Sequence, residues 1–509
     1  MAGVIPLEPQ GTDSEQMIVP IPQTPQVADG GALPTPDAGP VRKSVATLLV
    51  ELCADLPLFH DPSGNGYAEI DMVTHREIWP LASTAFGQWI ARRYYQKSSK
   101  AANRNSVKDA VGTLEAKARF DAGERTVALR IGGNEDRVLI DLGDPRWRVI
   151  EVTSNGWKIL EKSPVAFVRT RNMLPLPEPS RKGSLNPLWS LLNVAEERRP
   201  LVAAWLMSAL HPSGPYLIAC LNGEQGTAKS SASRLLRQLV DPNEVPLRCP
   251  PKEERDLLVS AQSNRLLAID NLSTVPPWLS DGLCRIATGG GFSARELYTN
   301  AEEFTLSLKR PILLNGIPDI CTRPDLADRA VSIPLEVIND SDRLPETVLH
   351  ERFAAAAPLI FGGLLDALVT AMGNLQRTPA NGFRMADAMR WAIAGETAFG
   401  WQPGTIAAAY RANVANSALE SVEGNAVGMA IRKLLEEVGE IDLTWAELLV
   451  RLPAPEIRNG AHWPASPRAL SVAVRRLAPA LRRVGIAIEQ WRGADANGVR
   501  MESPFGTRP

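Results

Sequence analysis

Periodic and alternating apolar positions predict a first folded unit between residue 43 and about residue 180. Apolar residues recur at helical spacing in Arg42–Leu56, Phe86–Gln96 and Ser106–Ala118. Short apolar runs typical of strands follow at Val127–Ile131, Arg137–Asp141, Arg148–Thr153 and Trp157–Leu160, with Gly- and Asn-containing turns between some of them. The pattern therefore predicts an α+β module with an antiparallel sheet.

A proline-rich linker at 174–183 separates this module from a second unit at 184–345. Helical and strand-like segments alternate in the second unit, which predicts a parallel sheet. Residues 346–420 are rich in alanine and are predicted to be helical. Residues 421–509 hold helices followed by a strand–turn–strand at Ile486–Arg492 and Val499–Met501, the outline of a winged helix. Residues 1–42, rich in Pro, Gly, Gln and Asp, are predicted to be a disordered tail.

Composition narrows the class of protein. The chain is 44% apolar and 22% charged, as in soluble globular proteins, and 509 residues suggest about three domains. We find no unbroken apolar run of about 18 residues and expect no transmembrane helix; we also expect no secretory signal and a cytoplasmic location. The net charge of -2 means that any contact with DNA must come from local basic patches. The five cysteines form no C-x-x-C pair, so we expect small buried side chains in a reducing compartment and no zinc site.

The stretch Tyr216–Ser231 has the pattern of a phosphate-binding loop. An apolar run ends at Asn222, a glycine-containing loop follows, and a helix-like segment begins at Lys229. Loop N–H groups, a helix N-terminus and a lysine together attract phosphate, and Ser230 is placed to ligate Mg²⁺. The expected ATP-binding residues are Gly223, Glu224, Gln225, Gly226, Thr227, Ala228, Lys229, Ser230 and Ser231. Ala228 stands where a second glycine is usual, and an ordinary glycine turn before a helix is the alternative interpretation.

Two further strand ends supply candidate catalytic groups. Asp270 ends the apolar run that begins at Arg265, and we expect it to hold Mg²⁺ together with Ser230. Asn271 follows where a glutamate would usually polarise the attacking water, so hydrolysis is slow or another acid serves: Glu224, Glu253, Glu254 or Asp281. Asn315, after the strand Pro311–Leu314, is either a sensor of the γ-phosphate or a cap of the following turn.

The order of these motifs resembles the superfamily 3 helicase core, an AAA+ subclass found in phage, plasmid and poxvirus primase-helicases. The likeness covers about 184–345 and includes the segment TGGGFSARELY (288–298), the strand ending at Asn315, and LADR ending at Arg329. The chain is also similar to ATP-binding proteins of prophages and integrative elements. The resemblance implies that Asn315 is the sensor, that Arg329 is an arginine finger, and that Tyr298–Lys309 includes a DNA-contacting hairpin. Without the resemblance, a surface ion pair with Asp325 or Asp328 is a better interpretation of Arg323 and Arg329 than an arginine finger.

Two segments are basic enough to contact nucleic acid. Arg92–Lys108 has six basic residues and no acid around Tyr94 and Tyr95, and reads equally as a solvated helix end. Arg468–Arg483 has five arginines off an apolar face formed by Leu470, Val474, Leu477 and Leu481. We expect Pro479 to split or kink that helix. The candidate DNA-binding residues are Lys309, Arg475, Arg476, Arg482 and Arg483.

The sequence thus predicts an α/β P-loop NTPase with an AAA+-like parallel core, an N-terminal α+β module and a C-terminal winged helix. The expected function is ATP- and Mg²⁺-dependent DNA unwinding or translocation, on single-stranded or forked DNA, in replication of a phage or mobile element. A trans arginine finger implies a homo-oligomeric ring, with a hexamer as the expected size. The alternatives are a nucleotide-binding DNA switch with little turnover, and a defence or signalling ATPase that acts on proteins. Asp61, Glu69 and Asp71 leave primase chemistry open.

Overall fold

The computed structural model describes residues 43–295, 303–316, 320–321, 323–379, 381–453, 463–493 and 496–503. The predicted tail at 1–42 lies outside these residues. Within them, the chain is a mixed α/β structure with several small sheets, of which the largest parallel one has four strands.

The first helices enclose a small core of their own. Its elements are α1 (Val45–Glu51), β1 (Leu58–His60), β2 (Gly66–Asp71), β3 (Arg76–Pro80), α2 (Thr84–Ser98) and α3 (Arg104–Phe120). Strands β1, β2 and β3 form an antiparallel sheet that was not predicted from the sequence. The buried side chains of Leu49, Phe86, Ile90 and Leu114 meet between the helices and this sheet.

The predicted antiparallel sheet follows as a meander and packs elsewhere. Its strands and the neighbouring parallel pair are β4 (Val127–Ala128), β5 (Ile131–Gly133), β6 (Val138–Asp141), β7 (Val149–Thr153), β8 (Gly156–Leu160) and β9 (Ala166–Phe167). The strand predicted at Val127–Ile131 is broken because Arg130 has a positive φ of 65°. Ile140, Ile150 and Val152 enter the large central core rather than the core of α1–α3.

The central unit is built on a four-stranded parallel sheet. Its elements are α4 (Asn186–Trp189), α5 (Arg199–Ala209), β10 (Ile218–Asn222), α6 (Lys229–Val240), α7 (Glu254–Ser263), β11 (Leu267–Leu272), α8 (Pro277–Thr288), β12 (Gly291–Arg295), β13 (Glu303–Ser307), β14 (Ile312–Gly316), α9 (Pro324–Ala327) and β15 (Ala330–Pro334). The sheet has the order β11–β14–β10–β15, and all of its strands are parallel. Strands β12 and β13 pair antiparallel as a separate ribbon.

Three helices pack on α5 beside the central sheet: α10 (Glu346–Asn374), α11 (Ala386–Gly395) and α12 (Thr405–Glu423). Segment Glu346–Arg377, which includes α10, is long and apolar enough to cross a membrane by length and composition. This differs from the sequence expectation, which considered only unbroken apolar runs. Over half of the apolar window, 56%, is buried inside the protein, where Phe361, Leu364 and Leu368 belong to the central core. The segment therefore has the burial of a core helix.

The C-terminal unit has the order helix, strand, two helices and two strands. Its elements are α13 (Ala426–Val438), β16 (Glu440–Thr444), α14 (Trp445–Arg451), α15 (Pro467–Arg483), β17 (Ala487–Arg492) and β18 (Asn497–Glu502). The strands form an antiparallel sheet in the order β16–β18–β17. Leu470, Val474, Leu477 and Leu481 form the buried face of α15, as their spacing predicts. Helix α15 runs through Pro479 without interruption, so the predicted split is wrong.

The cysteines differ from their predicted state. Cys220 on β10 and Cys321 after β14 are paired as a disulfide, with Cα atoms 7.3 Å apart. Cys249 is exposed, whereas Cys53 and Cys284 are buried as expected. The pairing could not be read from the sequence because 101 residues separate the partners, and the parallel sheet brings them together.

Candidate nucleotide site

Three polar strand ends meet at one edge of the parallel sheet. Asn222 ends β10, Asp270 lies near the end of β11, and Asn315 lies near the end of β14. Because these strands are parallel, their carboxyl ends share an edge, which is where open α/β sheets bind ligands. The loop of residues 223–228 connects β10 to α6 at this edge, so the N-terminus of α6 faces the same space.

The loop turns through left-handed backbone at Gly226, with a φ of 86°, and at Ala228, with a φ of 61°. A left-handed conformation costs a residue with a Cβ about 1–2 kcal/mol, which is the reason that glycine is usual at such positions. Ala228 thus takes the glycine-type conformation despite its methyl group. The loop therefore accepts alanine in place of the usual glycine at this position, with some backbone strain.

Ser230 and Asp270 are in direct contact. The Ser230 hydroxyl, in the first turn of α6, donates a 2.9 Å hydrogen bond to the Asp270 carboxylate. Mg²⁺ prefers a few hard oxygen ligands together with water and substrate phosphates. A hydroxyl and a carboxylate side by side at a helix N-terminus therefore fit a phosphate-bound Mg²⁺.

Lys229 is folded back on its own loop. Its Nζ donates to the carbonyl oxygens of Gly223 at 2.8 Å and Glu224 at 2.5 Å. Desolvation lowers the pKa of Lys229 below its ordinary value, and the charge of Asp270 partly opposes that shift. A phosphate that entered the loop would replace the two carbonyls as the partner of this ammonium group.

Asn315 is buried and links two neighbouring elements. Its Oδ1 accepts the backbone N–H of Asn271 at 2.9 Å, and its Nδ2 donates to the Ser233 hydroxyl at 2.8 Å. Asn271 has a φ of 57°, and its side chain is exposed. Asparagine is among the few residues that tolerate this conformation, so the local backbone suits the residue that replaces the expected glutamate.

The four acids considered as substitutes for that glutamate lie in different surroundings. Glu254 forms an ion pair with Arg285 at 2.8 Å, and Asp281 forms one with Arg323 at 3.1 Å. Glu224 lies on the loop itself and is exposed, and Glu253 is exposed just before α7. Of these four acids, Glu224 is thus the one that lies on the phosphate-binding loop.

Arg329 lies at the far end of the sheet from its own loop. It precedes Ala330, which pairs with Ile218 at the start of β10, whereas the loop follows Asn222 at the other end. The start of β10 at Ile218 and its end at Asn222 are four residues apart, which corresponds to about 13 Å along the strand. The Nη1 of Arg329 donates to the carbonyl of Asp325 at 2.7 Å, and its buried Nε has no hydrogen-bond partner among the residues that the structure describes. Arg329 therefore does not complete the site of its own chain.

The sequence analysis missed Arg343. Its Nη1 donates to the carbonyl of Gly226 at 3.0 Å, and its Nε pairs with Asp340 at 2.9 Å. This guanidinium therefore lies beside the phosphate-binding loop, although it follows the last strand of the sheet. No local motif marks it, since tertiary folding alone brings it to the loop.

The candidate DNA-binding residues divide into two groups. Arg475, Arg476 and Arg482 lie on the exposed side of α15, and Lys309 is exposed after β13. Arg483 instead forms an ion pair with Asp328 of the central unit. Of the predicted hairpin Tyr298–Lys309, residues 298–302 lie outside the described part of the chain.

The N-terminal candidates have mixed outcomes. Tyr94 is buried in the core of α1–α3, whereas Tyr95 is 60% exposed. Asp61 accepts hydrogen bonds from its own turn and from Tyr67, and Glu69 and Asp71 pair with Arg76. These three acids are thus engaged in local contacts, and the described residues include no cluster of three or more metal-ligating side chains.

Comparison with known protein families shows which proteins this chain resembles. Residues 185–418 match the family model described as actinomycete integrative conjugative element replication protein. The chain is similar to a mobile-element replication protein. Residues 427–504 match the C-terminal domain of the same family, RepA, so the two matched regions follow each other as parts of one protein. The predicted setting, replication of a mobile element, is confirmed at this level.

Other comparisons add little. No curated protein matches the chain. Matches among solved structures include two apo structures of the NrS-1 C-terminal region, each 12% identical over 90% of this chain and 99% of that chain, with TM-scores of 0.36 and 0.37. Scores this low carry no information about activity.

Proposed function

We propose that this replication protein is an ATP-dependent DNA motor, a helicase or translocase of the AAA+ superfamily 3 type, that works in the cytoplasm. The observation that carries the proposal is the contact between Ser230 and Asp270 at the head of α6. It joins the loop to the strand that the sequence independently marks as acidic. An ordinary glycine turn before a helix would not require a carboxylate from another strand at this place.

The chain's own residues have separate tasks in this proposal. Lys229 exchanges its loop carbonyls for the β- and γ-phosphates, and the loop N–H groups around Gly223 and Gly226 bind the remaining oxygens. Ser230 and Asp270 hold the Mg²⁺, which neutralises phosphate charge when it is bound. Asn315, fixed by Ser233, positions the backbone beside Asp270.

The arginine finger belongs to a neighbouring chain in this scheme. Since Arg329 lies at the opposite edge of the sheet from its own loop, it can act only on the nucleotide of another subunit. A head-to-tail contact of this kind closes into a ring when its rotation allows. The proposed assembly is therefore a homo-oligomeric ring, with a hexamer as the expected size.

DNA contact is proposed for the C-terminal unit as well as for the motor. The element order of residues 426–502 supports a winged helix, with Arg475, Arg476 and Arg482 on the exposed side of α15. Arginines on an exposed helix face suit phosphate and base contacts. Arg483 is reassigned to the contact with Asp328, which ties α15 to the segment that carries Arg329.

A second function is a nucleotide-dependent DNA switch with little turnover. The observation that favours it is Asn271, whose exposed side chain cannot accept a proton where a general base is expected. In that case ATP binding, rather than hydrolysis, would change the affinity of the chain for DNA.

ATP turnover by the wild type and Lys229→Ala, with and without single-stranded DNA, tests the proposal. We expect DNA to stimulate turnover and Lys229→Ala to reduce it by about 100-fold or more, because one preorganised phosphate contact is lost. Exposed Lys162, remote from the loop, provides the control variant Lys162→Ala, which should match the wild type. ATP binding without turnover on any DNA would replace the motor by the switch.

A further inference from the structure

A cleft of about 1170 Å³ separates the first module from the central sheet. Arg125 and Asp61 line it on one side, and Arg265, Lys309 and Arg310 line it on the other. Arg265 and Arg310 lie just before β11 and β14, so the cleft lies at the amino ends of the parallel strands, opposite the nucleotide edge. Since Lys309 follows β13 closely, the cleft opens at the base of the β12–β13 ribbon.

Three cations of this cleft, Arg265, Lys309 and Arg310, form no ion pair with a carboxylate among the described residues, whereas Arg125 pairs with Glu69. Arg265 donates to the carbonyls of Ala209 and His211, and its buried Nε has no hydrogen-bond partner. Arg310 donates to the carbonyls of Ala261 and Lys309. Carbonyl oxygens satisfy these N–H groups without forming ion pairs, although the charge of Asp241 acts on Arg310 from nearby.

Two acids near the cleft, Asp61 and Glu69, are engaged in local contacts, whereas exposed Glu135 lies 3.7 Å from the His211 ring. Asp61 accepts hydrogen bonds from Ser63, Asn65 and Tyr67, and Glu69 is shared by Arg76 and Arg125. Burial lowers the pKa of the neighbouring His211 to about 4, and the charges of Arg265 and Lys309 add to that shift. Burial and the charge of Arg265 lower the pKa of Arg310 to about 10.

We infer that this cleft binds the phosphate backbone of single-stranded nucleic acid. The exposed ammonium group of Lys309, with the positive charges of the buried Arg265 and the half-buried Arg310 behind it, attracts a polyanion, and backbone contacts need no base sequence. The volume slightly exceeds that of small-molecule pockets, about 300–1,000 Å³, and so suits a few nucleotides of one strand rather than a duplex. The identity of the strand as DNA rests on the proposed function. The first module thereby becomes one wall of the path along which the strand reaches the ribbon.

Gln262 allows the inference to be tested without removing any existing contact. It is an exposed residue of α7 that lines the cleft, so Gln262→Glu and Gln262→Lys add a charge of either sign there. The probe is a fluorescein-labelled oligo(dT) of about 20 nucleotides, long enough to span several phosphates. Anisotropy is measured on the full chain without nucleotide over a salt series. The same two changes at exposed Gln402, outside the cleft, are the controls.

We expect Gln262→Glu to weaken binding about fivefold at low salt and Gln262→Lys to strengthen it by a similar factor. The lysine should also steepen the salt dependence by about 0.7 in the log–log slope, as one further phosphate contact does. Lys309→Gln should weaken binding in the same direction as Gln262→Glu. The Gln402 variants and a duplex of the same length should show no such response.

Equal affinities for both Gln262 variants and the Gln402 controls would overturn the inference, as would charge-dependent binding of duplex in preference to the single strand. Because no nucleotide is present, this result is separate from the turnover assay. DNA-stimulated turnover with unchanged DNA binding by the Gln262 variants would contradict strand binding in the cleft but support the proposed motor. Altered DNA binding by the Gln262 variants without any ATP turnover would support strand binding in the cleft but contradict the motor.

Discussion

At the scale of single residues, Ala228 and Asn271 depart from the expected nucleotide-binding pattern, and both have left-handed backbone. At Ala228 the fold demands a conformation that glycine would adopt more easily. At Asn271 the exposed side chain and the N–H bound to Asn315 leave no group that can act as a base. Ala228 affects the strain of the loop, whereas Asn271 affects the chemistry of hydrolysis. Of the two, only Asn271 therefore bears directly on ATP turnover.

His211 makes stability depend on pH. It is 4% exposed, and its Nδ1 accepts the backbone N–H groups of Ser213 and Gly214, so the neutral ring is required. Its folded-state pKa of about 4 lies below the ordinary 6.5, so the unfolded chain takes up the proton first as pH falls. The contribution of His211 to the free energy of unfolding is therefore complete above pH 6.5. About 3 kcal/mol of that free energy is lost as the pH falls from 6.5 to about 4.

His211→Asn supplies the comparison for that prediction, since the amide oxygen can accept the same N–H groups without titrating. Denaturant unfolding of both chains at several pH values should show a steeper loss for the wild type across this window. Parallel curves for the two chains would mean that His211 is accessible to protons in the fold. Other acids contribute equally to both curves and cancel in the comparison.

At the scale of elements, the proline-rich segment 174–183 is packed against α10 and is not a free linker. The N–H of Ser180 donates to the carbonyl of Pro358 at 2.9 Å, and that of Ser184 donates to the carbonyl of Leu359 at 3.0 Å. Gly362 and Gly363 allow this approach, because a Cβ on Gly362 would lie 2.0 Å from the Ser180 carbonyl oxygen. The segment therefore joins the first module to the core through backbone contacts.

Gly362→Ala should destabilise the chain by about 2 kcal/mol or more, because backbone on both sides must move. Gly373→Ala in the same helix is the matched control, since a Cβ there meets nothing within 4 Å. That control should be neutral or stabilising by up to about 1 kcal/mol, as alanine is the better helix former. Thermal or urea unfolding measures both, and equal stability of the two variants would contradict the close packing.

At the scale of the whole molecule, buried ionic contacts hold the units together. Arg130, from the first module, reaches Asp241 at the end of α6 at 3.2 Å, and both are almost fully buried. Asp241 also accepts the N–H groups of Arg265 and Leu266. This network fixes the β5–β8 sheet to the central unit, which favours a rigid wall on that side of the basic cleft.

Mixing two inactive chains tests the proposed ring. An Arg329→Ala chain keeps its loop and a Lys229→Ala chain keeps its arginine, so an interface between them is complete only if the arginine acts in trans. Equal mixing with subunit exchange should restore about a quarter of wild-type turnover if interfaces act independently. Light scattering verifies mixed assembly. Mixed oligomers without any recovery would place the role of Arg329 within one chain, or remove it.

The sequence by itself determined the local part of this protein. Local sequence patterns predict three features: the strand–loop–helix around Gly223–Ser230, the apolar face of α15 and the meander of β5–β8. Apolar alternation, helical spacing and the positions of glycines are all visible in short stretches of sequence.

Only the tertiary structure decided which distant residues meet. Arg343 reaches the loop, Arg483 binds Asp328 rather than remaining free, Cys220 pairs with Cys321, and Arg329 lies at the wrong edge for its own site. The physical reason is that these contacts depend on strand order and helix packing, which bring together side chains far apart in the chain. Periodicity fixes the face on which a residue lies, and the fold decides what that face meets.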